Sequence, residues 1–240
     1  MRAPRLRWTL AVFALALTGA GCSAGRAEAP RPTAPAAGPA ANAPAAGTPD
    51  ADLEALFWAR LDSARTRFTD ADGHFVAGMI AHHAQAIHMA RLVDARAASP
   101  SVRTLALRIL SGQQDEIALM QQWLDERGLP VPQVHVTDTG VMVHGADHAL
   151  HADGPGMLTP EQMRALERAE GAAFDRLFLT SMIEHHRGAL SMVHELFATD
   201  GAGQDPALFR FASDVQVDQA TEIARMERML AELPPGGGVR

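Results

Sequence analysis

One pattern is written twice in this chain. "FVAGMIAHHAQAIHMA" at 75–90 returns as "FLTSMIEHHRGALSMV" at 178–193, with Phe, Met, Ile, His, His, Ala and Met at matching places. A second block, "QQDEIALMQQWL" at 113–124, returns as "QATEIARMERML" at 219–230. Two blocks repeated in the same order describe one supersecondary unit present in two copies, and such a unit buries its apolar face against its neighbour. The apolar positions follow a 3.6-residue period, so the unit is a helical hairpin. The expected fold is all-α, a four-helix bundle built from a duplicated hairpin.

Punctuation along the chain places the helices at about 73–97, 100–127, 160–198 and 206–232, after a shorter lead-in helix near 51–68. Ser99-Pro100, Thr159-Pro160 and Asp205-Pro206 each set a capping side chain ahead of a proline suited to the first helical turn. Thr159-Pro160-Glu161-Gln162 fits a capping box, and Gly128 followed by Pro130 marks a helix end. Tyr is absent, and no convincing alternating run argues for a strand.

The domain layout follows from composition. Residues 1–22 carry Arg2, Arg5 and Arg7 ahead of an apolar run from Trp8 to Leu17, the pattern of an export signal. That run is shorter than the roughly 20 apolar residues that cross a bilayer as a helix. Cys22 is the single cysteine, which excludes an internal disulfide or a thiolate cluster. Gly19-Ala20-Gly21-Cys22 resembles a lipobox, making Cys22 the expected lipidation site. The chain is then exported to the periplasm or cell surface and held at the membrane by a lipid anchor.

Residues 23–49 are rich in Ala and Pro and read as a disordered tether. Residues 50–234 form the folded domain, with repeat one at 70–127, a His/Met-rich connection at 128–158 and repeat two at 159–232. The formal charge is −7; removing the three signal arginines, with no acid among residues 1–22, brings it to −10. An acidic surface repels nucleic acid and attracts cations.

At 100° per residue, Met79, His82, His83, Ala86 and Met89 share one side of their helix while His88 points the opposite way. Met182, His185, His186, Ala189 and Met192 repeat the arrangement. On the partner helices Gln113, Glu116, Ile117 and Met120 share a face, as do Gln219, Glu222, Ile223 and Met226. A buried Glu is costly unless paired or metal-bound, and the partner-helix Glu is placed to reach one His of each pair.

Thioether sulfur is soft and imidazole borderline, so a Met/His set suits Cu(I) or Ag(I) and is a poor cage for Mg²⁺ or Ca²⁺. Zinc or iron remains possible through His and Glu. The connection adds Met142, His144, His148, His151 and Met157 as possible loop ligands, with His135 nearby, in a Gly-rich stretch that equally fits a polar surface crossover.

The doubled motif, with Q-x-x-E-I-x-x-M on each partner helix, is similar to the bacterial family called domain of unknown function 305, over 70–232. The resemblance implies an exported, ferritin-like four-helix bundle of the kind found in periplasmic copper-handling proteins. It carries metal-ligand roles to Met79, His82, His83, Met89, Glu116, Met120, Met182, His185, His186, Met192, Glu222 and Met226, with Gln113 and Gln219 as motif positions.

The expected function is therefore metal binding, copper before zinc or iron, for storage, delivery or resistance rather than catalysis. Two alternatives stay open. One is a di-iron or di-manganese oxidoreductase, although Glu116 and Glu222 are followed by Met120 and Met226 where such sites place E-x-x-H. The other is an anchored interaction module with structural His pairs and an unspecified protein partner. No nucleophile–base constellation or phosphate-binding loop is present to support a hydrolase or nucleotide-binding reading.

Overall fold

The computed structural model describes residues 49–137, 140–145 and 154–234. Residues 1–48, with the leader and Cys22, and the loop residues His148 and His151 lie outside the described residues. The elements run α1 (Pro49–Arg65), α2 (Asp70–Arg96), α3 (Pro100–Asp125), β1 (Gln133–Thr137), β2 (Gly140–His144), α4 (Pro160–Arg168), α5 (Gly171–Ala198) and α6 (Pro206–Glu232). No helix among the described residues is long and apolar enough to cross a membrane.

The expected caps form. Ser99 accepts from Val102 N–H, Thr159 from Gln162 N–H, and Asp205 from Ala207 and Leu208 N–H, each ahead of a proline in the first turn. Gly128 ends α3 with φ 65°. Capping bonds of this kind are worth about 1 kcal/mol each.

Two expectations are corrected. Residues 160–198 are not one helix: α4 stops at Arg168, Ala169 and Glu170 are extended, and Gly171 starts α5 with φ 61°. Glycine takes that left-handed conformation without the Cβ clash that other residues meet. The connection is also not strand-free. Gln133–Thr137 pairs antiparallel with Gly140–His144, with His135 opposite Met142 and Gln133 opposite His144. Val134 and Val136 pack against the core while Gln133, His135, Thr137, Met142 and His144 are exposed, the period-2 alternation of a half-covered ribbon. Arg91 Nη1 donates to Val136 O at 2.6 Å and pins the ribbon to α2.

In the bundle α2 lies along α3, α5 along α6, and α2 against α5, while α3 and α6 touch much less. The apolar core falls into two ends. One gathers Leu105, Ile109, Phe174 and Phe178 with Met89, Met182 and Met226. The other gathers Phe75, Ile80, Trp123 and Leu208 with Met79 and Met120, and Met192 packs against it. Between the ends lies a polar layer of four His, two Gln and two Glu.

The copies are tied crosswise. Asp72 closes the capping box of α2 with Thr69 and also accepts from Gly203 N–H at 2.6 Å in the α5–α6 turn. Asp175, the equivalent residue of α5, accepts from Ser99 N–H at 2.8 Å in the α2–α3 turn. Both carboxylates are buried. Bonds to a charged acceptor are worth about 1.5–3 kcal/mol, so each repeat fixes the turn of the other.

Candidate metal centre

The repeated motif residues meet where α2 crosses α5. His82 and His185 occupy equivalent positions, and their rings lie 3.8 Å apart between centroids, tilted by 40°. His83 and His186 point instead to their partner helices. His83 Nε2 lies 2.7 Å from Glu116 Oε2 and His186 Nε2 lies 2.6 Å from Glu222 Oε2. The expected partnership of one His of each pair with the facing Glu is thus present in both copies, and the second His makes it. All four imidazoles are buried, whereas the glutamates keep 19 % and 27 % of their side-chain surface.

Burial decides the charge of the central pair. Loss of hydration, with His83 adding to it, lowers His82 from 6.5 to about 3, although a bond to Pro155 works the other way. Complete burial and the adjacent His82 hold His185 well below 6.5. Both are therefore neutral at physiological pH. His82 Nε2 donates to Pro155 O at 3.1 Å, which leaves its Nδ1 as a bare lone pair.

The layer concentrates buried polar atoms without a partner: Nδ1 of His82, His83 and His186, both ring nitrogens of His185, and Oε1 of Gln113 and Gln219. A buried polar atom left unsatisfied costs about 1–3 kcal/mol. His83 and His186 each have one ring nitrogen held by a carboxylate and the other free, the pattern in which an outer carboxylate orients a metal-ligating histidine. The donor set thus fits a metal ion that prefers nitrogen and sulfur.

Thioethers flank the layer symmetrically. Met79 stands one turn from His83 on α2, and Met120 one turn from Glu116 on α3; both are buried in one end of the core, with Met192 from the other repeat against it. Met182, Met226 and Met89 make the equivalent set at the opposite end. Among the described residues no group of three or more His, Cys, Asp and Glu side chains is placed to hold a metal.

Solvent reaches the layer between α3 and α6, in a cleft of about 300 Å³ lined by Gln113, Glu116, Asp218, Gln219 and Glu222. Partial burial, followed by repulsion from Glu116 and Glu222, raises the Asp218 carboxyl above its ordinary 3.8. Sequence reasoning missed Asp218, whose counterpart in repeat one is Gly112. It also missed the cross-ties of Asp72 and Asp175, although an Asp stands three residues before the Phe of each block.

The remaining expected residues are apart from this layer. Met142, His144 and Met157 lie on the other side of α2, around a cleft that also contains His88. His88 does point away from the layer, as its helical phase requires, yet it is buried beneath the connection and α4.

The sequence profile of the family described as domain of unknown function (DUF305) matches residues 72–230. Among solved structures, a DUF305 fragment from Deinococcus radiodurans is 29% identical with a TM-score of 0.57, covering 69% of this chain and 99% of that one. CopM is similar in its Cu(II)-bound form, at 27% identity and TM-score 0.51, covering 67% of this chain and 95% of CopM. Its silver-soaked form gives 26% identity and TM-score 0.51, with 71% and 100% covered. Protein L153 of Acanthamoeba polyphaga mimivirus is 40% identical over 65 residues, 27% of this chain and 43% of L153, so the match spans less than half of that relative.

Proposed function

The chain belongs to the DUF305 family, and we propose that it takes up copper as Cu(I), or Ag(I) in its place, as cargo for storage, delivery or resistance. The observation that carries this reading is the buried layer of neutral or carboxylate-held imidazoles, with free ring nitrogens, set between two clusters of thioethers. Nitrogen and thioether donors favour a soft monovalent ion over Zn²⁺ or iron. CopM, a family-like fold solved with silver and with Cu(II), supports the same class of cargo.

Glu116 and Glu222 act as positioning residues, fixing His83 and His186 and offering negative charge at the α3–α6 cleft through which an ion reaches the layer. Met79, Met120 and Met192 serve one side, and Met89, Met182 and Met226 the other. The leader-like pattern at 1–22 and the lipobox-like residues before Cys22 support the further reading of an exported, lipid-anchored protein, which mass spectrometry of the mature N-terminus tests.

Replacing His82, His83, His185 and His186 with Gln should remove the Ag(I) and Cu(I) held at the layer, read as lost equivalents in competition titration, while the circular dichroism of the bundle persists. Glu116→Gln with Glu222→Gln should weaken binding by about 10–100-fold, as outer-sphere changes do. A folded fourfold His variant with the affinity and stoichiometry of the parent would remove this reading.

A further inference from the structure

The two copies differ on the face of the α2–α5 pair that the connection covers. Gln85 and His88, one turn apart on α2, stand where α5 has Gly188 and Ser191. Gln85 grips Leu158 twice, its Nε2 donating to Leu158 O at 3.0 Å and its Oε1 accepting from Leu158 N–H at 2.8 Å. This pair of hydrogen bonds fixes Met157 and Leu158 above α2, beside His88. On α4, Met163 and Glu167 are four residues apart and share a face.

These residues and strand β2 enclose a cleft of about 670 Å³ lined by His88, Met142, His144, Met157, Met163 and Glu167, among others. His88 is 3% exposed; its Nε2 lies 3.3 Å from Glu167 Oε1, and its Nδ1 has no partner. A buried imidazole braced by a carboxylate, with three thioethers and a second imidazole around it, repeats the donor chemistry of the layer. Its setting is different. Met142 is half-exposed and His144 exposed, so this cleft meets solvent directly.

We propose that the cleft between α2, α4 and β2 is a second, solvent-facing site for a soft monovalent cation, Cu(I) or Ag(I), served by His88 and the sulfurs of Met142, Met157 and Met163. The proposal rests on the soft-metal reading of the layer for its cation class, but on none of the layer's residues. Repeat two has no such site, because Ser191 replaces the imidazole and Gly188 the residue that grips the connection.

The test is Ag(I) titration of the mature chain, read as bound equivalents and as methionine-methyl NMR shifts. Two variants accompany the parent: the layer variant with His82, His83, His185 and His186 replaced by Gln, and the cleft variant M142L/M157L/M163L. Leu is nearly isosteric with Met, so packing is largely kept. The layer variant should retain at least one equivalent and shift the Met157 and Met163 methyls, and the cleft variant should lose that equivalent alone.

Retention of every equivalent by the cleft variant overturns the proposal, as does a layer variant that binds no silver. A layer variant that binds as the parent does, with the cleft variant binding none, leaves the cleft standing and removes the reading of the layer. Should the cleft variant unfold, methyls of Met157 and Met163 that stay unmoved at saturating silver in the unmutated chain overturn the proposal by themselves.

Discussion

At the polar layer the two repeats match residue for residue: His82 with His185, His83 with His186, Glu116 with Glu222, Gln113 with Gln219. One turn away they part, with Gln85 against Gly188, His88 against Ser191 and, across the bundle, Gly112 against Asp218. The matching positions face the internal two-fold, where one helix packs on its own copy and both must present the same chemistry. Gln85, His88 and Gly188 face the connection, which exists in one copy only, while Gly112 and Asp218 differ within an α3–α6 cleft whose Gln and Glu positions match. Duplication thus holds the centre alike, and the single connection between the copies makes their outer surfaces unlike.

The largest test of the matched centre is acid. His82 and His185 have folded pKa values below 6.5, His82 at about 3. An unfolded chain takes up these protons and the folded chain does not, so stability is full above 6.5 and falls as pH drops through the window towards 3. His82 should cost about 2 kcal/mol between pH 7.5 and 5, given about 1.4 kcal/mol per pH unit, and His185 acts in the same direction. Urea unfolding of the metal-free chain measures this. His82→Gln and His185→Gln should each reduce the slope, and a stability flat over that range would break the equivalence.

The unmatched face gives the next effect. A Cβ at Gly188 would overlap Pro155 O, so Gly188→Ala must displace the connection, at about 3 kcal/mol. Gln85→Ala, which only releases Leu158, should cost about 1–2 kcal/mol. Thermal melts that rank these the other way would show that the connection is seated on α2 rather than on α5.

The smallest effect has the opposite sign. Gly112 lies within α3, and a Cβ added there would meet nothing within 4 Å, so Gly112→Ala should stabilise by about 0.5–1 kcal/mol through helix propensity. Calorimetry would detect a change of that size. A loss of stability would mean that α3 and α6 approach more closely at the cleft.

Much of this was legible in the sequence because repetition doubles a signal. His-His, the facing Glu and the flanking Met residues stand out when the blocks are aligned, and the prolines after Ser99, Thr159 and Asp205 mark helix starts that the structure keeps. The rest was hidden for physical reasons. The Val-x-Val alternation in 134–136 and 141–143 is too short to outweigh a Gly- and His-rich composition until the two strands pair and rest on α2. The break before Gly171 needs the φ of one residue, which no periodicity records. His88 sits on the outer side of an isolated helix, and only the connection and α4 turn that side into a buried one.

The crosswise bonds of Asp72 and Asp175 bear on the ancestry of such a chain. Each hairpin borrows from its twin the carboxylate that holds its own turn, so half of the molecule lacks an essential clasp of its fold. A forebear with one hairpin would have met that need by pairing with an identical chain about a two-fold axis, and gene fusion would then have made a dimer contact into an intramolecular one. Once the halves were joined, the segment linking them lay on one side only, free to acquire residues that neither half could have evolved while the two remained identical.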